Sequence, residues 1–154
     1  MSILIFAHQI STKTMNQAIK FFLTITFLST ISFFANAQKQ LITFPDSSVY
    51  EGQVVEGKAE GKGTLKWSNG DEYKGSFRVG KREGSGTIKW INGDEYKGEW
   101  KNDVFEGKGN MKWVNGQSYS GEWYKGKYNG FGKLTHIDGI VEDGLWQNGR
   151  FKTK

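Results

Sequence analysis

The sequence predicts an all-β fold, an elongated single-sheet meander of about five stacked β-hairpins following a cleaved N-terminal signal peptide. Three observations carry this expectation. The nine residues "WSNGDEYKG" at 67–75 return almost unchanged as "WINGDEYKG" at 90–98, and Tyr50, Tyr73, Tyr96 and Tyr119 recur every 23 residues, with a fifth step on Glu142. Within each unit apolar and polar residues alternate, which is the period of a half-buried strand. Between the alternating runs stand turn formers such as "SNGDE", so consecutive runs pair as hairpins.

The opening of the chain is of another kind. Lys20 precedes "FFLTITFLSTISFF", an apolar run from Phe21 to Phe34, and "ANAQ" follows. A basic residue, a short apolar core and an A-x-A site describe an export leader cleaved after Ala37. Residues 1–37 are therefore assigned to the signal peptide, with Met15 as an alternative start, and residues 38–154 to the mature domain. The run is short for a membrane span, and no cysteine follows it for lipid attachment. The expected location is periplasmic or extracellular.

Lys13 and Lys20 fall in the leader, which leaves 19 basic against 16 acidic residues. That balance is too mild to imply a polyanion, and no nucleic-acid partner is expected. All 21 glycines lie beyond the leader. Their fixed phase with aromatic residues argues for a folded repeat array rather than a disordered segment. The absence of cysteine leaves an exported domain without disulfides or thiolate metal sites.

Units begin near residues 50, 73, 96, 119 and 142. Two residues into each comes a glycine (Gly52, Gly75, Gly98, Gly121, Gly144), and two further on a large apolar residue (Val54, Phe77, Trp100, Trp123, Trp146). A second strand carries G-x-Φ-x-W, where Φ is apolar: Gly63-Leu65-Trp67, Gly86-Ile88-Trp90, Gly109-Met111-Trp113 and, with histidine last, Gly132-Leu134-His136. A two-residue loop at Asn-Gly would put the apolar sets of the two strands on opposite faces, so an odd loop of about three to five residues centred on Asn69-Gly70-Asp71 is expected. Among odd registers, pairing Trp67 with Tyr73 sets Leu65 against Gly75 and Gly63 against Phe77, a large residue over a bare backbone each time. The same arithmetic pairs Trp90 with Tyr96 and Trp113 with Tyr119.

These residues resemble the MORN repeat, the membrane occupation and recognition nexus. "YKGEWKNDVFEGKGNMKWVNGQS", residues 96–118, matches one whole repeat, and the likeness covers nearly all of residues 50–149. Departures are Val54 in the first copy, Asp103 in a glycine place and Glu142 in the tyrosine place. The resemblance implies an elongated meander of hairpins. Its name implies an affinity for lipid headgroups.

Little in the chain points to catalysis. His136 is the one histidine after the leader and stands at a packing position, with no cysteine nucleophile or serine-hydrolase motif beside it. The acids Asp71 and Asp94 follow Asn-Gly and read as turn chemistry rather than a calcium loop. "GKAEGKG" lacks the Lys-Ser/Thr ending of a phosphate loop. No enzyme activity, cofactor or metal is expected.

Two surfaces remain as binding candidates. One gathers Trp67, Tyr73, Trp90, Tyr96, Trp100, Trp113, Tyr119, Trp123 and Trp146. The other carries Lys66, Lys89 and Lys112 in one row and Lys74 and Lys97 in a second. The leading expectation is a non-catalytic binding or scaffold module whose aromatic face meets another protein or a second copy of itself. The alternatives are anionic lipid headgroups held by the lysine rows and a glycan stacked on exposed aromatics.

Overall fold

A computed structural model describes residues 39–153. The expected export leader and its expected cleavage after Ala37 lie outside the described residues. Eleven strands form one antiparallel sheet in strict chain order: β1 (Gln40–Thr43), β2 (Val49–Val55), β3 (Lys58–Lys66), β4 (Glu72–Arg78), β5 (Lys81–Lys89), β6 (Glu95–Lys101), β7 (Val104–Lys112), β8 (Ser118–Tyr124), β9 (Lys127–Thr135), β10 (Val141–Gln147) and β11 (Arg150–Phe151). Every connection is local, so the meander follows directly from the alternation of strand and turn signals in the sequence.

Two kinds of turn alternate along the sheet. At one rim, Trp67 N–H donates to the Asp71 carbonyl at 2.9 Å and Gly70 N–H to the Trp67 carbonyl at 3.0 Å, enclosing a three-residue loop, Ser68–Gly70. Gly70 has φ +97°, as this loop type requires at its last position. At the other rim the turns have two residues: Glu56-Gly57, Val79-Gly80, Asn102-Asp103, Lys125-Gly126 and Asn148-Gly149 all have positive φ at both positions. That is the type I′ geometry, whose twist matches that of the flanking strands.

The observed register corrects the expected one. Leu65 faces Tyr73, Gly63 faces Gly75 and Gly61 faces Phe77. Ile88 likewise faces Tyr96, Met111 faces Tyr119 and Leu134 faces Glu142. Trp67, Trp90 and Trp113 sit inside their turns, bonded to Asp71, Asp94 and Gln117, not across from tyrosine. The apolar sets stay on one face, as either odd register requires.

The glycines consequently face each other. Gly52, Gly63, Gly75, Gly86, Gly98, Gly109, Gly121, Gly132 and Gly144 form one unbroken row across β2 to β10. What lies over each pair is a tyrosine two residues earlier on the same strand. A Cβ added at Gly98 would meet the Tyr96 hydroxyl at 2.5 Å and the Gly109 Cα at 2.5 Å. The ring therefore lies lengthways over its own strand and the next, a space that directly opposed residues do not occupy. Tyr50, Tyr73, Tyr96 and Tyr119 are the largest side chains buried completely.

Beyond the glycine row the ladder shifts register in every repeat, between Gly52 and Gln53, Gly75 and Phe77, Gly98 and Glu99, and Gly121 and Trp123. A bulge bends the strand and turns the next side chains in a new direction. Residues of the strand starts then join the core: Phe105 stacks on Tyr96 with centroids 3.8 Å apart, and Tyr128 on Tyr119 at 3.7 Å.

Candidate functional site

The aromatic face is largely the interior. Each tyrosine hydroxyl donates to the carbonyl three residues on, Tyr50 to Gln53 at 2.8 Å, Tyr73 to Ser76 at 3.0 Å, Tyr96 to Glu99 at 2.9 Å and Tyr119 to Glu122 at 3.0 Å. Trp100, Trp123 and Trp146 donate their indole N–H to the carbonyls of Gly86, Gly109 and Gly132 at 3.3, 3.1 and 2.9 Å. Their rings meet the tyrosines edge-on, as between Tyr96 and Trp100 or Trp123 at 5.3 Å, a favoured aromatic arrangement. Burial pushes the phenols of Tyr73, Tyr119 and Tyr128 up to about 12 and that of Tyr96 higher still.

Six of the nine aromatic candidates, Tyr73, Tyr96, Trp100, Tyr119, Trp123 and Trp146, are thus enclosed core residues that offer no ring to a partner. This corrects the expectation of an exposed band. The sheet covers its own aromatic face because residues 23 apart on the strand starts, Ala59, Arg82, Phe105, Tyr128 and Phe151, fold against it. That series is hard to see by residue type, which runs Ala, Arg, Phe, Tyr, Phe; its steady signal is the 23-residue period.

Trp67, Trp90 and Trp113 remain half-buried at the rim of three-residue loops. Beside them the first loop residues Ile91, Val114 and Ile137 are 72%, 69% and 70% exposed. They succeed one another every second hairpin strand, about 10 Å apart. The loops are stitched together: Asp71 accepts from Ile91 N–H and Asp94 from Val114 N–H, both at 2.9 Å. These acids act within the loops, as expected of turn residues.

The lysine candidates point away from the core, on the opposite face. Lys66 and Lys89 are held by Glu72 and Glu95 at 3.3 Å each. Lys112 lies between Glu95 on β6 and Ser118 on β8, and among the described residues it makes no ion pair, since Glu95 is taken by Lys89. Lys74 and Lys97 are exposed and, among the described residues, not ion-paired. His136, in the tryptophan place, lies 2.9 Å from Glu142, in the tyrosine place. The two substitutions of the last repeat therefore compensate each other, and Phe151 approaches Gly144 where a tyrosine ring would otherwise lie. Among the described residues no three His, Cys, Asp or Glu side chains gather in a way that could hold a metal ion.

The geometry has one cause throughout, a 23-residue unit that lays a tyrosine over paired glycines and closes on an Asn-Gly type loop. No curated protein sequence matches the chain. The family model described as MORN repeat matches it four times in tandem, over residues 50–72, 73–95, 96–118 and 119–141. These matches cover most of the chain, each starting on the buried tyrosine of one repeat, and the chain belongs to the MORN-repeat family.

Proposed function

We propose that the protein is a non-catalytic scaffold, exported to the periplasm or beyond, that binds another protein chain or a second copy of itself along the rim of its three-residue loops. MORN-repeat proteins are in general binding and scaffold modules, and an array of similar hairpins suits an extended contact. The observation that carries the reading is the line of exposed Ile91, Val114 and Ile137 beside half-buried Trp67, Trp90 and Trp113. A line of exposed apolar residues is what a soluble surface keeps for a partner. Large aromatic side chains next to it are the usual anchors of such contacts.

The reading is tested by light scattering after size exclusion, together with binding to vesicles containing phosphatidylglycerol. The triple change I91S/V114S/I137S abolishes association and leaves the fold intact by circular dichroism. The triple change K66E/K89E/K112E leaves association intact, because two of those lysines are already neutralised within the sheet. If the charge reversal removes binding, vesicles are bound, and the rim variant still associates, the lipid-headgroup reading replaces this one.

A further inference from the structure

The face opposite the core holds a trough of about 1020 Å³ that runs along the glycine row, with lining residues from Glu51 on β2 to Phe131 on β9. That is a span of seven strand spacings, about 34 Å. One wall presents a single polar residue from each strand: Thr64, Lys74, Thr87, Lys97, Asn110 and Ser120. Hydroxyl alternates with ammonium over the first four of these strands, and an amide and a hydroxyl follow. The opposite wall adds Lys62 and Lys108.

The lining carries five lysines against three glutamates, a net excess of two positive charges, and the glutamates are tied to neighbouring groups. Glu99 and Glu122 accept the backbone N–H of Lys108 and Phe131 at 3.2 Å each, and Glu51 pairs with Lys39 at 3.6 Å. Lys74, Lys97 and Lys108 are exposed without an ion pair among the described residues. The lysines of the neighbouring row, Lys66 and Lys89, are neutralised by glutamates. A net excess of cations in a cleft focuses a positive potential there even when the charge of the whole chain is small.

We propose that this trough binds a linear acidic polysaccharide, with carboxylates on Lys74, Lys97 and Lys108 and sugar hydroxyls on Thr64, Thr87, Asn110 and Ser120. Hydroxyl and amide side chains both donate and accept, as a polyhydroxylated chain requires. An acidic peptide fits less well. The strands under the trough are interior to the sheet, hydrogen-bonded on both sides, so none offers the free backbone edge by which extended peptides add to a sheet. The floor, mostly backbone closed from below by the tyrosine rings, is rigid before any ligand arrives.

The site lies on the face away from the core and is independent of the loop-rim scaffold. Isothermal titration of the protein with oligogalacturonate tests it, with methyl-esterified oligogalacturonate, poly-glutamate and phosphatidylglycerol vesicles as comparisons. The acidic oligosaccharide binds, binding weakens with salt, and K74E/K97E weakens it at least about tenfold while K66A and the rim variant I91S/V114S/I137S leave it unchanged. No binding, binding unaffected by K74E/K97E in a folded variant, equal binding of the esterified chain, or tighter binding of poly-glutamate or vesicles each overturns the proposal.

Discussion

Arg82 and Asp103 are joined across successive repeats by the Arg82 backbone N–H and Nε to Asp103 Oδ1 at 2.9 and 3.0 Å, and by Nη2 to the Asp103 carbonyl at 3.0 Å. The guanidinium lies 4.2 Å from the centroid of Trp100, where the next repeats place Phe105 and Tyr128. Asp103 in turn replaces the glycine that ends the other two-residue turns. Two departures from the repeat thus compensate each other: an arginine takes an aromatic place on the core, and an aspartate two strands away holds its charge.

The pair is predicted to be coupled. Removing the carboxylate in D103G leaves a mostly covered guanidinium unpaired and destabilises by about 2 kcal/mol. R82F/D103G, which reproduces the Phe105 and Gly126 arrangement of the next repeat, recovers most of that loss. A urea double-mutant cycle measures it, with a coupling of about 1–2 kcal/mol expected and strict additivity as the contrary result.

The glycine row predicts a steep positional contrast. In G98A the new methyl collides with the Tyr96 hydroxyl and the Gly109 backbone, both at 2.5 Å, costing about 3 kcal/mol. In G116A nothing lies within 4 Å, and only the strain of φ +91° remains, about 1 kcal/mol. Thermal unfolding of the two variants side by side checks it; equal losses would mean the tyrosine does not lie over the row.

Val79 occupies the first position of a type I′ turn at φ +49° and is 59% exposed. A β-branched residue is strained in that region, whereas Asn102 and Asn148 fill the same place in other repeats. Val79→Asn is predicted to stabilise by about 1 kcal/mol, read as a higher urea midpoint with an unchanged slope.

The sequence made the sheet legible because its period binds strand, turn and glycine into one phase. Gly63 and Gly75, in fixed phase with large apolar residues, announced that large side chains would cover a bare backbone. The register is less legible, because the ring that covers the glycines does not lie directly across the ladder: Tyr73 runs along its own strand to reach Gly75 and Gly86. Exposure was less legible still. Whether Trp100 faces solvent depends on Arg82 and Phe105, whose places look like charged linker in the sequence. The binding rim rests on Ile91, Val114 and Ile137, apolar residues in loops, which a reading centred on tryptophan passes over.

Buried phenols set a pH limit on the fold. Tyr73, Tyr119 and Tyr128 ionise near 12 in the native protein against an ordinary 10.0, because burial disfavours the phenolate. The native state then holds protons that the unfolded chain has lost, so their contribution is complete below pH 10 and disappears as pH rises towards 12. Tyrosinate absorbance and loss of sheet signal are predicted to rise together across that window. Ionisation of these tyrosines near 10 with the sheet intact would contradict their burial.

An interior aromatic face and a partner seated on the loop rim give the two sets of tryptophans opposite reactivities. Oxidative footprinting of tryptophan, followed by mass spectrometry on dissociated and associated protein, reads both sets at once. Trp100, Trp123 and Trp146 are predicted to stay unlabelled in both states, while Trp67, Trp90 and Trp113 are labelled in the free protein and shielded on association. Labelling of Trp100 and Trp123 in the free protein, with protection on association and no change at Trp67, Trp90 and Trp113, would contradict that arrangement.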